Sequence, residues 1–367
     1  MYCSACGSHV PPQDTRCPSC AAPVEAGRQL VAERRTSKLA VAGFLSGLLA
    51  GPLGLVLNPL ALWRLRRSGG ALRGAGLAWV GLIASVVYTC YGVMVMTRRA
   101  APGFNPVWVA LFATIAAASG WLLFLRHFDR VEPEALKDLF RVGLLGGLMA
   151  SVPALICNET FLISARLFFR PPQLPHLAFV FALFVGLSEE FWKVTATRLM
   201  IWRNPAFNEP VDALVYSLTV ALGFATFENL LYLLNVGPFS ITRSLIATPA
   251  HLGFAALWGQ GFAVARFRRK ARGPFRTVLP FWFLAAACHG LYDAILFTRR
   301  PHAYLVAIAL MLGLGLWAVR RLQRLEAESP FLPAGTCPFC GFSGVPGGGY
   351  CVRCGARAEA SATLLRV

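Results

Sequence analysis

Ionisable side chains occur inside apolar runs of this sequence, where a helix surrounded by lipid should carry none. Glu189, Glu190 and Lys193 follow the run "LPHLAFVFALFV", and their spacing puts the lysine within one helical turn of either carboxylate. A charge at mid-bilayer costs about 2.5–3.5 kcal/mol on insertion scales, so such residues usually face a bundle interior and mark function. We expect one carboxylate to pair with the ammonium and the other to be available as a base. The alternative is that all three lie near a helix end and are solvated.

Three other apolar runs contain polar residues that can do chemistry. "GFATFENLLY" places Glu228 and Asn229 in a run without a cation, so Glu228 needs a partner on another helix, a metal or a proton. "ATPAHLGFAALWG" contains His251, and a lone histidine is more often a hydrogen-bonded structural residue than a ligand. "ACHGLYDAI" places His289 and Asp293 at i and i+4, where the carboxylate can orient the imidazole or cap a polar seam between helices.

Together these residues are the components needed to activate water inside a bilayer. A carboxylate acts as general base, and an Asn or His side chain donates to the oxyanion. If a metal is bound, Glu228, His251 and His289 are its candidate ligands, and a carboxylate remains to take the proton of the water. The reaction class is then hydrolysis, with a peptide bond as the favoured substrate. The motifs HExxH and GxSxG do not occur, which excludes an ordinary zincin and an α/β-hydrolase.

The elements that must position these residues are membrane helices. Of the 367 residues, 56% are hydrophobic and 14% are charged, a composition too apolar for a soluble domain. A spanning helix needs about 20 mostly apolar residues, and no run alternates with the period of two that a membrane β-barrel requires. The sequence predicts an all-α polytopic membrane protein, a bundle of about 8–9 transmembrane helices with small zinc-ribbon modules at both ends. The predicted spans are about 39–61, 76–96, 106–125, 142–164, 176–198, 211–235, 247–265, 277–297 and 303–319.

The charge distribution predicts how the chain crosses the membrane. A soluble protein of net charge +18 would suggest a nucleic-acid partner, but here the arginines cluster between apolar runs, as in cytoplasmic loops beside anionic lipid. We therefore expect the bilayer, and not nucleic acid, as the partner. A cytoplasmic loop 265–276 puts loops 126–141 and 199–210 and the C-terminus on the same side.

The first predicted span contains two helix breakers. Pro52 and Pro59 interrupt the run 39–61 and predict a re-entrant or hairpin element that returns the N-terminus to the cytosol. The start of the chain is polar and rich in cysteine, without the apolar core of a signal peptide, so we expect this first run to direct membrane insertion.

Two cysteine-rich segments flank the membrane body. Each contains two CxxC pairs separated by ten residues, a spacing that supplies four thiolates to one tetrahedral Zn²⁺. The candidate ligands are Cys3, Cys6, Cys17 and Cys20 at one end, and Cys337, Cys340, Cys351 and Cys354 at the other. Disulfides are the weaker alternative in a reducing compartment. We expect two structural zinc ribbons, with the C-terminal one in the cytosol.

The ordered set of membrane motifs resembles the PrsW-type intramembrane proteases, which are related more distantly to the CAAX prenyl endopeptidases. The pattern of that family is EExxK, FxxxEN, a histidine and HxxxD on successive membrane helices. It is matched over roughly residues 120–320 by Glu189, Glu190 and Lys193; by Phe224, Glu228 and Asn229; by His251; and by His289 and Asp293. Each motif is short, and only the ordered set is specific.

The resemblance implies a membrane endopeptidase of the bacterial cytoplasmic membrane that cuts membrane-anchored proteins, of which anti-sigma factors are the best-known type. By analogy with the prenyl endopeptidases, Glu189 or Glu190 is the base, and Asn229, His251 or His289 is the oxyanion donor or ligand. A catalytic metal and a bare glutamate both remain open. The alternatives are a transporter whose buried charges form an ion path, and a scaffold or sensor that recruits partners through its ribbons.

The expected domain organisation follows from these segments. It consists of a zinc ribbon over 1–27, a basic linker over 28–38, a two-helix membrane domain over 39–100, a PrsW-like protease core over 101–325, and a linker with the second ribbon over 326–367.

Overall fold

The described part of the chain is almost entirely helical. The computed structural model describes residues 3, 6, 8, 16–22, 35–50, 52–68, 72–97, 106–129, 131–168, 175–236, 241–268, 273–298 and 300–331. The C-terminal cysteine segment and most of the basic linker lie outside these residues. Two strands of two residues, β1 (Arg35–Thr36) and β2 (Leu72–Arg73), pair in parallel and were not predicted. The prediction of an all-α fold is otherwise confirmed.

The helices follow one another with short connections. They are α1 (Lys38–Ala50), α2 (Pro52–Arg67), α3 (Ala75–Thr97), α4 (Pro106–Arg126), α5 (Leu136–Arg141), a π-helical segment (Val142–Gly146), α6 (Gly147–Phe168), α7 (Pro175–Ile201), α8 (Pro210–Val236), α9 (Ile241–Phe267), α10 (Pro274–Phe297) and α11 (Pro301–Glu326). Six of them (α2, α4, α7, α8, α10 and α11) begin with proline, whose missing N–H and fixed φ suit the first turn of a helix.

Among the described residues, four helical stretches are long and apolar enough to cross a membrane. They are Leu136–Ala165, Pro210–Asn235, Pro274–Phe297 and His302–Glu326. Shorter apolar helices occur at Lys38–Gly47, Ala75–Val86 and Ala110–Arg126. The protein is therefore an integral membrane protein, as the sequence predicts.

The first predicted span is two helices and not one. α1 ends at Ala50 and α2 begins at Pro52, so the expected break at this proline is confirmed, and the two helices pack against each other and against α3. The expected break at Pro59 is wrong, because this residue lies inside α2. A proline removes a single intrahelical hydrogen bond, and the neighbouring Asn58 amide ties α2 to α1 by donating to the Gly43 carbonyl at 2.9 Å.

Helix α8 lies at the centre of the bundle. It is buried over most of its length, whereas α11 is mostly exposed. Helices α4, α6, α7 and α9 pack around α8, while α10 packs against both α7 and α9. A helix that is apolar all round is expected in such a core position.

Glycines bring α7 and α10 into direct backbone contact. A Cβ atom added at Gly186 would lie 2.5 Å from the Ala286 carbonyl oxygen and 2.6 Å from the Gly290 nitrogen. No side chain larger than hydrogen fits between these backbones, as is common where membrane helices pack closely. This contact brings Glu189 and Glu190, within one turn after Gly186, against His289.

Candidate active site

The predicted reactive residues meet inside the bundle where α7, α8, α9 and α10 come together. The five most buried are at most 5% exposed: Glu189, Glu190, Lys193, His251 and His289. The alternative in which Glu189, Glu190 and Lys193 lie solvated at a helix end is therefore wrong. The apolar faces of four helices enclose these groups, and each group is compensated by polar partners on another helix.

Lys193 connects α7 to α9. Its Nζ lies 2.8 Å from Glu190 Oε1, 3.4 Å from Glu189 Oε2 and 2.9 Å from His251 Nδ1. It also lies 3.9 Å from the ring centroid of Phe224, which adds a cation–π contact. An ammonium can only donate, so His251 Nδ1 is the acceptor and the proton of the neutral imidazole is on Nε2. That N–H donates to Glu228 Oε2 at 2.8 Å, which is the partner on another helix that the sequence required for Glu228.

Glu190 is held on both of its oxygens. Oε1 accepts from Lys193 and from His289 Nδ1, each at 2.8 Å, and Oε2 accepts from the indole N–H of Trp258 at 2.8 Å. Neither oxygen is free to take a proton from water. Because His289 donates through Nδ1, its neutral form carries a lone pair on Nε2.

Glu189 is held more loosely than its neighbour. Its Oε1 accepts from the Asn158 amide at 3.3 Å, and its Oε2 lies 3.4 Å from Lys193 Nζ and 3.7 Å from His289 Nε2. The same Nε2 of His289 lies 3.6 Å from Asp293 Oδ2. Lys193 therefore contacts both glutamates, more closely Glu190, and the role of the other carboxylate as a base stays a prediction.

Three of these side chains could hold a metal together if His251 gave up its hydrogen bond to Lys193 or to Glu228. One ligand atom each from Glu189, His251 and His289 lies within 4.8 Å of the others. Imidazole nitrogen and carboxylate oxygen form a donor set that suits zinc and similar ions. The sequence analysis grouped Glu228 with the histidines, whereas the structure groups Glu189 with them and hydrogen bonds Glu228 to His251.

Asn229 faces a different part of the bundle. Its amide donates to Thr248 Oγ1 of α9 at 3.0 Å, and it lines a small cavity together with Thr114 of α4. This geometry ties α8 to its neighbours.

Two carboxylates mark where the site reaches the surface of the bundle. The side chains of Glu228 and Asp293 are each 17% exposed, against 6% for Glu189 and none for Lys193. Glu228 and Asp293 are therefore the most accessible carboxylates of this cluster.

The structure adds residues that the sequence analysis missed. Trp258 donates to Glu190, Asn158 donates to Glu189, and Phe254 stacks on His289 with ring centroids 4.8 Å apart. Asn158 could have been recognised from the sequence, since it is an amide inside an apolar run. Trp258 follows His251 by seven residues, which places both on one helix face.

The N-terminal cysteines Cys3, Cys6, Cys17 and Cys20 form a second group that could hold a metal ion. The Sγ atoms of Cys3 and Cys20 are 3.6 Å apart, as are those of Cys6 and Cys17, and all four cysteines are free thiols. The corresponding prediction for Cys337, Cys340, Cys351 and Cys354 lies outside the described residues.

Comparison with known proteins shows which proteins the chain is similar to. The model of the PrsW family of intramembrane metalloproteases matches residues 134–319. "Protease PrsW" of Geobacillus kaustophilus is 31% identical over 218 residues, which cover 58% of this chain and 91% of that protein. "Protease PrsW" of Halalkalibacterium halodurans is 30% identical over 214 residues, covering 58% and 95%, and that of Clostridioides difficile is 28% identical over 213 residues, covering 56% and 85%. No solved structure matches.

The family match and the buried cluster cover the same helices. Residues 134–319 include α7 to α10, which carry every residue of the predicted site. The chain belongs to the PrsW family of intramembrane proteases and is a membrane-embedded peptidase.

Proposed function

We propose that Glu189 is the general base that activates water for hydrolysis of a peptide bond in a membrane-anchored protein. The observation that carries this assignment is the contrast between the two glutamates: Glu190 has both oxygens occupied, while Glu189 is loosely held beside His289 Nε2. A general base must reach the proton that it abstracts, and its hydrogen bonds in a substrate-free enzyme are often long.

The neighbouring groups position this base and stabilise charge. Glu190 holds Lys193 and the Nδ1 side of His289, so it is a positioning residue. The Nε2–H of His251 lies at the exposed edge with Glu228 and is our candidate donor to the oxyanion, assisted by the nearby Lys193 charge. The role of oxyanion donor suits Asn229 less well, because its amide donates to Thr248.

A metal would fit the same pocket if it displaced the hydrogen bond of His251 to Lys193 or to Glu228. Glu189, His251 and His289 would hold it, and it would supply Lewis acidity and lower the pKa of a bound water. Glu228 and Asp293 then remain beside the ligand set as carboxylates able to accept the proton. The pairing of glutamates with two histidines also supports our proposal of a distant relationship to the CAAX prenyl endopeptidases.

We extend this proposal to the membrane topology of the chain and to the class of its substrates. We infer that the helices of the chain form about 8–9 spans, with the loops between α4 and α5, α7 and α8, and α9 and α10 in the cytosol, because these loops carry basic residues. Anti-sigma-factor-like single-span proteins of the bacterial cytoplasmic membrane are the proposed substrates. The transporter and scaffold alternatives are not favoured, because the relatives are proteases.

Each terminal cysteine segment is proposed to be a zinc ribbon. In a tetrahedral site with Zn–S bonds of about 2.3 Å, the sulfur atoms lie about 3.8 Å apart, and the N-terminal Sγ separations of 3.6 Å are close to this value. The domain boundaries proposed above follow from these segments, with the membrane body over 39–325.

The test is cleavage of single-span membrane proteins by the full chain in proteoliposomes. We expect Glu189→Gln to lower the cleavage rate by about 10²–10⁴-fold, the usual contribution of a general base. Asp138→Asn, which changes an exposed carboxylate paired with Arg141, serves as the matched control and should cleave like the wild type. Equal product patterns for Glu189→Gln and the wild type would remove the assignment.

A further inference from the structure

A second group of buried acidic residues lies at one end of the bundle, away from the active site. Asp129 follows α4, Glu134 precedes α5, Glu209 precedes α8 and Asp212 lies in the first turn of α8. Glu134 is 9% exposed, and the other three are at most 1% exposed. Asp212 precedes Glu228 on the same helix by a length of about 24 Å, at 1.5 Å per residue, so the two clusters are separate.

Each of three carboxylates has one oxygen fixed by hydrogen bonds. Asp212 Oδ2 accepts from the backbone N–H groups of Asn208 at 3.0 Å and Glu209 at 2.8 Å. Asp129 Oδ2 accepts from the N–H of Glu134 at 2.5 Å, and Glu209 Oε2 accepts from the hydroxyl of Ser329, beyond the end of α11. These bonds set the orientation of each carboxylate.

The other oxygen of each carboxylate is buried without a hydrogen bond. Within the described residues, Asp129 Oδ1, Glu209 Oε1 and Asp212 Oδ1 have no partner, and the side-chain oxygen of Asn208 has none either. One oxygen from each of the three carboxylates lies within 4.8 Å of the others. Oxygens bound to one Ca²⁺ at about 2.3–2.6 Å are at most about 5 Å apart, so the spacing fits a single ion.

The described residues around this cluster balance its charge only in part: the Arg126 charge lowers the pKa of Asp129 less than burial raises it. None of them forms an ion pair with these carboxylates, and the Nε of nearby Arg126 donates to the backbone carbonyl of Glu134 at 2.9 Å. Burial raises the pKa of Asp129 to about 6 and that of Glu209 to about 7. Buried carboxylates without a counter-charge are costly, and such groups are normally paired, protonated or bound to a metal.

We propose that Asp129, Glu209 and Asp212 form a second cation site that binds a hard divalent ion, Ca²⁺ or Mg²⁺. The donor set contains only oxygen, which these ions prefer, whereas the active site and the cysteine cluster offer the nitrogen and sulfur that zinc prefers. The ion joins the connection between α4 and α5 to the connection between α7 and α8, and through Ser329 it also holds the end of α11. It therefore stabilises the start of α8, the central helix that carries Glu228.

The test is a titration of the purified full chain in detergent with CaCl₂ and, separately, with MgCl₂. Thermal unfolding and calorimetric binding are measured, with NaCl at matched ionic strength as reference. We expect one ion per chain to bind at this cluster and the unfolding temperature to rise with its concentration. Asp212→Asn and Glu209→Gln keep the side-chain shape and should weaken binding by at least about 100-fold, because removing a ligand charge should cost no less than the roughly 10–100-fold lost with a hydrogen-bond partner of a metal ligand.

Two control variants make the result specific. Glu132→Gln changes an exposed carboxylate in the same loop and should retain the Ca²⁺ response. Glu189→Gln should retain it too, even though proteolysis is lost, so failure of this proposal is distinguishable from failure of the catalytic one. A wild-type chain whose unfolding temperature does not respond to either ion, or that becomes more stable only on acidification, would overturn the site. Wild-type affinity in Asp212→Asn and Glu209→Gln would overturn it equally.

Discussion

Glu189 and Glu190 are neighbours in sequence but have different surroundings. Glu190 is fully buried and bonded to Lys193, His289 and Trp258, whereas Glu189 has contacts of 3.3 Å or longer. A helix turns by about 100° per residue, so the two side chains approach their shared partners Lys193 and His289 from different directions and at different distances. Glu190 is thereby fixed as an anchor, and Glu189 is the residue that we propose exchanges a proton with water.

Replacement of the anchor should damage folding as well as activity. We expect Glu190→Gln to lower the free energy of unfolding by about 3 kcal/mol, because Lys193 would keep a buried charge without its closest partner. Thermal or denaturant unfolding in detergent measures this change, with Glu189→Gln as the comparison. Equal stability losses for the two variants would contradict the assignment of different roles.

Removal of a single donor to Glu190 gives a finer test. Trp258→Phe deletes the indole N–H and leaves Glu190 Oε2 buried without that bond, which should cost about 1–3 kcal/mol. If Trp258 also positions the site, kcat should fall while KM stays the same. Trp192→Phe, a half-buried tryptophan on α7, provides the reference. An unchanged stability in Trp258→Phe would show that the bond is not made.

The sequence predicted the members of the site better than their contacts. Charged and imidazole side chains in apolar runs are few, so the cost of burying them identifies the reactive set. Their partners are set by packing between helices that are distant in sequence. For this reason Trp258 and Asn158 were missed, and the orientation of Asn229 toward Thr248 was not foreseen.

At the level of the helices, the spacing between α7 and α10 decides whether the site can form. Gly186 and Gly290 let the two backbones touch, and a Cβ at Gly290 would lie 2.8 Å from the Leu183 Cα. The contact lies close to Glu190 and His289, which are 2.8 Å apart. A small displacement of either helix would therefore lengthen this hydrogen bond.

Widening this contact should reduce catalysis without removing any reactive group. We expect Gly186→Ala to lower kcat by about 100-fold, the effect of misplacing catalytic groups by about 1 Å. Gly313→Ala is the control, because a Cβ there meets no atom within 4 Å, and it should stabilise α11 by up to about 1 kcal/mol. Proteolysis rates of both variants in proteoliposomes check this, and full activity of Gly186→Ala would show that the helices can adjust.

The helices themselves were predictable to different extents. Long apolar runs gave the positions of α6 to α11, and Pro52 gave the break between α1 and α2. Pro59 was misread because the effect of a proline depends on whether neighbouring groups support the helix around it. The hydrophobic pattern did not predict the π-helical segment. In this segment the Gly143 carbonyl oxygen lies close to Gly223 of α8, and this contact depends on how the two helices pack.

At the scale of the whole molecule, measuring bound zinc tests whether the terminal cysteine segments bind metal independently of the membrane body. We expect purified chain to carry zinc in both terminal cysteine segments, so that the double change Cys3→Ser and Cys17→Ser lowers the bound zinc by about one ion per chain. The membrane body should keep its proteolytic activity. Elemental analysis measures the zinc, and Cys157→Ser, at a half-buried free cysteine of α6, is the control. Unchanged zinc in the double variant would remove the N-terminal ribbon.

The buried acidic group, the reactive centre and the cysteine cluster offer three different sets of ligand atoms: oxygen, nitrogen with oxygen, and sulfur. The sequence analysis identified the second and third, because histidines in apolar runs and CxxC pairs are recognisable patterns. Asp129, Glu209 and Asp212 were not recognised, because acidic residues in loops are ordinary until folding removes them from water.

The burial of Glu189, His251 and His289 has a consequence for what the site can cut. A helical substrate arriving from the lipid has its scissile carbonyl hydrogen bonded within its own backbone, and reactive groups that are at most 5% exposed cannot reach that carbonyl while the helix is intact. The segment must first fray into an extended strand. Substrates with glycine or proline near the cut should therefore be hydrolysed faster than leucine-rich versions of the same span, and equal rates for the two would show that unwinding is not required.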